Sequence, residues 1–269
     1  TSMSGMFYGV SAFNQSIGNW NTAAVTNMSY MFTSASIFNQ DIGTWNTAAV
    51  TDMSYMFYFA SSFNKDINTR DPLTCLGCWN TANVTTMSNM FFNATSFDQN
   101  LGAWNIAKVT NMTSMFNSSK LSQPSYDRIL VGWSPQSVKT SVSFHAGTAK
   151  YAATTERAVL TGTKSWGITD GGAVTVPDAT GLGAAPSSTQ MTLNWTSGGG
   201  STFDYAIAWQ AGATAPVTCW DGTTTTSTTN AKTITGLTAN TQYSFRVCAR
   251  SAGAAEISRG VTVTATTDP

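Results

Sequence analysis

Met-Phe pairs begin at Met6, Met31, Met56, Met90 and Met115, separated by 25, 25, 34 and 25 residues, and Trp20, Trp45, Trp79 and Trp104 repeat the spacing 25, 34, 25. A period in this range means stacked units, because one such unit cannot bury its apolar face alone. Aligned, the units read Val-Thr-x-Met-x-x-Met-Phe, then a small residue such as Ala35 or Ala60. Phe-Asn or Phe-Asp follows, then Ile17, Ile42, Ile67 or Leu101, then Trp-Asn. The spacing of 34 is a normal 25 with nine residues inserted between Ile67 and Trp79. Ten of the eleven Met occupy the paired positions, so the apolar side chains follow the repeat rather than a general composition bias.

Within a unit, Met53, Met56, Phe57 and Ala60 stand at i, i+3, i+4 and i+7, which predicts a short helix with Thr51 as its N-cap. The stretch from Phe38 to Trp45 lacks helical spacing and is read as a short parallel strand. Stacked strands lie about 5 Å apart, so Asn14, Asn39, Asn64 and Asp98 are expected to form a polar ladder, with the Trp residues stacked beside it. A step of about 100° per residue turns Tyr55 and Phe59 away from the Met-Phe face, with Tyr58 on the flank. Tyr30 aligns with Tyr55 and Phe92 with Tyr58, so five rings form one outward patch. Exposed aromatics of this size mark a contact surface for sugars or proteins; the bland alternative is that they fill gaps between units.

Charge narrows the partners. Only 10% of residues are charged, 13 basic against 13 acidic, and the first 64 residues hold no Lys or Arg. No basic field is available for nucleic acid or anionic lipid, and no apolar run is long enough to span a membrane. Catalytic chemistry finds little support either. His145 has neither nucleophile nor orienting acid in its vicinity in the sequence, Glu156 has no paired acid or aromatic cleft, and Gly198-Gly-Gly200 lacks the Lys and helix of a phosphate loop. Each unit offers at most one Asp, too few for Ca²⁺. The expectation is a non-enzyme without cofactor or metal.

With these residues in view, the repeat resembles the BspA-like leucine-rich repeat family of bacterial surface proteins. That resemblance implies an exported protein and a right-handed α+β solenoid of short helices and short parallel strands over residues 1–117. Residues 118–172, with Tyr126 through Trp133 and Tyr151 through Gly172, resemble the end piece of such arrays, where two helices and a strand would cover the last unit. Thr1-Ser-Met-Ser-Gly-Met-Phe7 aligns with Thr51 to Phe57, so the chain begins inside a repeat, which suggests that more protein lies upstream.

From about residue 178 the pattern changes to period-two runs at Met191–Trp195, Tyr205–Trp209, Thr233–Thr235, Tyr243–Val247 and Val261–Val263, as in an all-β sandwich. Trp195 and the Leu237-to-Tyr243 approach to Phe245 resemble a fibronectin type III domain with its tyrosine corner, over residues 178–269. Thr223 to Thr229 reads as an exposed loop. Four Cys allow three pairings, and the domain boundary favours Cys75 with Cys78 and Cys219 with Cys248; disulfides suit an exported protein. The expected function is adhesion at the cell surface. Tyr30, Tyr55, Tyr58, Phe59 and Phe92 would contact a glycan or protein of another cell or matrix, without nucleic acid or membrane insertion. The alternatives are an accessory region of a secreted polysaccharide-degrading enzyme and a tip or spacer of a surface fibre.

Overall fold

The computed structural model describes residues 1–68, 79–200, 202–251 and 256–269, in two compact units, Thr1–Gly172 and Ala173–Pro269. Cys75 and Cys78 lie outside the described residues.

In the first unit, successive repeats are joined by their backbones. The N–H groups of Met53, Tyr55, Phe57 and Phe59 donate to the carbonyls of Thr86, Ser88, Met90 and Phe92 in the next repeat, at 2.9–3.2 Å. The alternating N–H groups of Met56, Tyr58 and Ala60 turn back to the carbonyls three residues earlier. The same pattern runs from Met3, Gly5, Phe7 and Gly9 through the second and fourth repeats, and Met112 and Phe116 of the fifth continue it. Parallel bridges link Ser2, Asn27, Asp52, Thr86 and Asn111 in one row.

Two expectations are corrected here. The segment around Met53–Ala60 is a ladder of turns and not a helix, because Tyr55 and Phe59 have φ of 58° and 57°. A left-handed residue every fourth position swings the N–H groups sideways to the neighbouring repeat, where a helix would aim them along its own axis. A four-residue turn period also places Met53, Met56, Phe57 and Ala60 inward, and all four are fully buried. Phe38–Trp45, in turn, is no strand; it is tied to the preceding repeat by side chains. Asn39 N–H donates to Asn14 Oδ1 at 2.9 Å, Gln40 Nε2 to the Asn14 carbonyl, and Trp45 Nε1 to the Ile17 carbonyl at 3.0 Å.

These side chains form columns along the stack. Asn64 N–H donates to Asn39 and Asp98 N–H to Asn64, which is the anticipated polar ladder. Phe7, Phe32, Phe57, Phe91 and Phe116 stack with centroids 5.3–5.5 Å apart, and Phe13, Phe38, Phe63 and Phe97 form a second file at 5.8–6.0 Å. Trp20 stacks on Trp45 and Trp79 on Trp104, while each buried indole N–H finds a carbonyl one repeat back.

The segment after residue 117 continues every column. Helix α1 (Gln123–Trp133) is N-capped by Ser122, which also donates to Asp98 and so ends the polar ladder. Its last residue, Trp133, donates to the Leu101 carbonyl as a further member of the Trp series. The helix presses so closely on Gly102 that a Cβ on Gly132 would collide with the Gly102 carbonyl. Strand β1 (Ser143–His145) accepts the Met112 and Phe116 N–H groups as a sixth repeat would, and Phe144 meets Phe116 edge-on, ending the Phe file. Behind it lie α2 (Thr154–Ala158), which passes into a π-helical turn, and β2 (Gly167–Thr169), parallel to β1.

The second unit is a fibronectin type III-like sandwich, with seven strands among the described residues: β3 (Thr180–Pro186), β4 (Gln190–Thr196), β5 (Thr202–Ala211), β6 (Thr223–Ser227), β7 (Ala231–Thr235), β8 (Gln242–Ser251) and β9 (Val261–Thr266). The sheets run β3-β4-β7 and β6-β5-β8-β9. Met191, Leu193, Trp195, Ile207, Ile234, Phe245 and Val247 alternate inward and form the core, and the Tyr243 hydroxyl accepts the Thr238 N–H at 3.1 Å. Residues 223–227, expected to be loop, form an edge strand because consecutive Thr favour the extended backbone when a neighbouring strand is present.

The column geometry predicts unequal costs along the Trp series. Trp45 is fully buried and Trp20 only partly so. Trp45→Ala is expected to lose roughly 3–5 kcal/mol, with the Ile17 carbonyl keeping only the Trp20 N–H as donor, whereas Trp20→Ala should lose clearly less. Urea unfolding of both variants checks this; equal losses would contradict the stacking order.

Candidate functional site

The five aromatic residues singled out above lie on one face of the first unit. Tyr30 and Phe59 are 38% and 40% exposed, and Tyr55, Tyr58 and Phe92 are half-buried. Their rings are linked without a gap. Tyr30 stacks on Tyr55 at 4.5 Å with 5° between planes, Tyr55 meets Tyr58 at 5.3 Å, Tyr58 meets Phe59 at 4.7 Å and Phe92 at 5.0 Å. Tyr8, 61% exposed and 6.4 Å from Tyr30, extends the ridge by one repeat. It escaped the sequence reading although it aligns with Tyr58 and Phe92.

Backbone placement explains why the rings point outward. The left-handed positions form two columns, Gly5, Tyr30, Tyr55, Asn89 and Ser114, and Gly9, Ser34, Phe59, Asn93 and Ser118, all with φ between 54° and 72°. A residue there directs its side chain away from the buried Met and Phe on either side. Gly and Asn enter this conformation readily, whereas for a bulky ring it is a strained outlier. Burial raises the Tyr30 phenol above its ordinary range first, with Tyr55, Asp52 and Tyr8 adding to the effect. The Tyr30 hydroxyl is therefore held in its neutral form.

Elsewhere, titratable groups serve structure. Asp127, buried at the foot of α1, accepts the N–H groups of Ala152 and Ala153 at 2.8 and 2.9 Å and fixes the approach to α2. Tyr126 donates to Asp170 Oδ2 at 2.8 Å, and Arg157 donates to the same oxygen at 2.7 Å while lying over the Tyr151 ring. His145 sits in β1 with Nδ1 accepting the Gly147 N–H, and Glu156 lies on α2. Among the described residues, no group of three or more His, Cys, Asp or Glu is placed to hold a metal ion, and no helix is long and apolar enough to cross a membrane.

In the second unit, Cys219 and Cys248 form a disulfide on the outer face of the four-stranded sheet. The segment around Pro216 folds over that face, held by Arg246 Nε donating to the Pro216 carbonyl at 2.6 Å and Ser244 Oγ donating to the Gly212 carbonyl. Trp220, 40% exposed, packs over Arg250, which is paired with Asp204.

A stack of short repeats ending in a mixed closing segment, joined to a fibronectin type III-like sandwich, is the class that these features define. The family model described as "Mycoplasma protein of unknown function, DUF285" matches residues 1–74 and 73–157, and the chain belongs to that family. The fibronectin type III model matches residues 178–264. No curated protein matches the chain. Among solved structures, the FN1–FN3 domains of chicken CNTN1 share 17% identity over 38% of this chain, with a TM-score of 0.31, and the chain spans only 35% of that structure. A fibronectin type III domain of human collagen XX shares 22% identity, covering 35% of this chain and 93% of that one, with a TM-score of 0.28. At such scores the likeness adds nothing to what the strand order and the family model establish.

The Tyr126 phenol is pushed above its ordinary range, chiefly by burial and then by the Asp170 carboxylate. The folded state therefore favours the neutral phenol. Its contribution is fully present below the unfolded-chain pKa of about 10 and is lost as pH rises beyond it. Tyr126→Phe should cost roughly 1–2 kcal/mol at neutral pH and flatten the alkaline loss of stability. Denaturant midpoints of both proteins from neutral to strongly alkaline pH check this, and parallel curves would show that the phenol does not govern that loss.

Proposed function

We propose that this chain is a non-catalytic recognition module of a bacterial surface protein, displayed outside the cell, in which a BspA-like, leucine-rich-repeat-type solenoid carries the contact surface. Tyr30, Tyr55, Tyr58, Phe59 and Phe92, with Tyr8, meet a protein on another cell or matrix. The observation that carries this reading is the occupancy of left-handed positions by Tyr30, Tyr55 and Phe59, where neighbouring repeats use Gly5, Gly9, Asn89 and Asn93. Such strain costs of order 1–3 kcal/mol per residue and persists where the surroundings or a function hold it. Rings buried in the core would have a packing reason for it; Tyr30 and Phe59 are exposed.

A protein partner fits better than a sugar. Tyr30 and Tyr55 cover each other's faces, so a ligand meets mainly ring edges and hydroxyls, whereas sugar stacking needs open faces. The surrounding accessible positions hold Gly, Ser and Asn: Gly9, Ser34, Asn89 and Asn93 continue the left-handed columns, and Asn117 aligns with Tyr58. Rigid Tyr among small polar residues is the composition of antibody contact loops. The cross-repeat bonds support the solenoid reading, and the Cys219–Cys248 disulfide is consistent with an oxidising compartment.

The test is the triple substitution Tyr30→Asn, Tyr55→Asn and Phe59→Asn. Relief of the left-handed strain offsets the lost ring contacts, so stability is expected to stay within about 1 kcal/mol per site. Attachment to protein-coated and glycan-coated surfaces is then compared with that of the original chain. Loss of attachment to protein alone supports the proposal; loss on glycans alone moves the ligand to sugar, and unchanged attachment removes the ridge as the contact site.

A further inference from the structure

Among the described residues, strand β6 is an open edge of its sheet, paired only with β5, in unbroken register from Tyr205 opposite Ser227 to Trp209 opposite Thr223. Exposed edges invite strand pairing, and proteins usually blunt them with Lys, Pro, a bulge or a covering segment. The other three edges here carry such devices. The β3 edge has Pro186 and a register shift between Thr180 and Gly183, β7 carries Lys232, and β9 runs beside β3. The β6 run, Thr-Thr-Thr-Thr-Ser, has no charge, no Pro and no bulge. On its inner side Thr225 shares a groove with Trp209, Ile234 and Lys232, so a strand added to β6 would also roof apolar surface.

We propose that β6 pairs antiparallel with β6 of a second copy of this chain. The strand is complementary to itself: in a two-fold antiparallel pair the central positions set Thr opposite Thr, a favourable cross-strand combination, and no like charges meet. A strand from an unrelated partner would gain the backbone bonds and the groove but not this matched register of Thr on Thr. Five residues make a small contact, so the dimer is weak and reversible. It carries two aromatic ridges, and bivalent attachment of that kind raises avidity without any new contact.

Sedimentation equilibrium of the full chain over a wide concentration range tests this. The original chain should show a reversible monomer–dimer equilibrium. Thr224→Lys with Thr226→Lys should weaken it at least about tenfold by opposing like charges across the pair, as should Thr224→Glu with Thr226→Glu, with circular dichroism confirming the fold of each. An equimolar mixture of the Lys and Glu variants should restore dimers. A chain that stays monomeric into the millimolar range overturns the proposal, and so does a dimer that survives either charge pair. Loss of the dimer on changing Tyr8 and Val10 to Ser, both exposed on the first repeat, overturns it by assigning the contact there instead.

Discussion

The first unit depends on one interaction, the backbone hydrogen bond from a residue in one repeat to the equivalent turn of the next. Met3, Met28, Met53, Met87 and Met112 all make it. This bond fixes the rise between repeats near the spacing of neighbouring strands. Once the rise is fixed, identical residues in successive repeats must touch, and flat rings suit that spacing well. The two Phe files, the Trp series and the Asn ladder are consequences of the same step. So is the closing segment, since any element ending the stack has to answer all columns at once. Ser122 and Trp133, at the two ends of α1, and Ser143 and Phe144, in β1, do so from two separate pieces of chain.

The step also dictates what stays outside. A turn ladder needs a left-handed residue at every fourth position, and those positions face away from the core. The inner columns are nearly uniform along the chain, Met, Phe, Val and Trp, while the left-handed columns change from Gly to Tyr to Asn to Ser. The scaffold tolerates variation at these outward positions, as it does in the neighbouring column of Tyr8, Thr33, Tyr58, Phe92 and Asn117, and not in the inner columns. The rings at Tyr30, Tyr55 and Phe59 are a local departure from the small residues that these columns use at either end of the stack.

Much of this was legible in the sequence. The period, the inserted nine residues, the buried Met and Phe, the Asn ladder and the sandwich could all be read from spacing, because burial and the repeat step leave a strict apolar pattern. The turn ladder could not be read from that pattern, since a helix and a four-residue turn period put Met53, Met56, Phe57 and Ala60 on one side alike. The discriminating signal lay in the outward residues: Gly5 and Gly9, and Asn89 and Asn93, stand four apart where a helix would disfavour them. The outward placement of Tyr55 and Phe59 came out the same under either geometry. Strand β6 was missed for a different reason, because an unbroken Thr run on an edge has no alternation to reveal it.

The central claim is that the Met-Phe segments bond sideways to the next repeat. Scalar couplings transmitted through hydrogen bonds, measured by NMR on isotope-labelled protein, report donor and acceptor directly. The Phe57 amide nitrogen should couple to the Met90 carbonyl carbon, and Tyr55 to Ser88. Coupling of Phe57 to the Met53 carbonyl instead would restore the helix and remove the ladder on which the columns, the closing segment and the outward ridge depend.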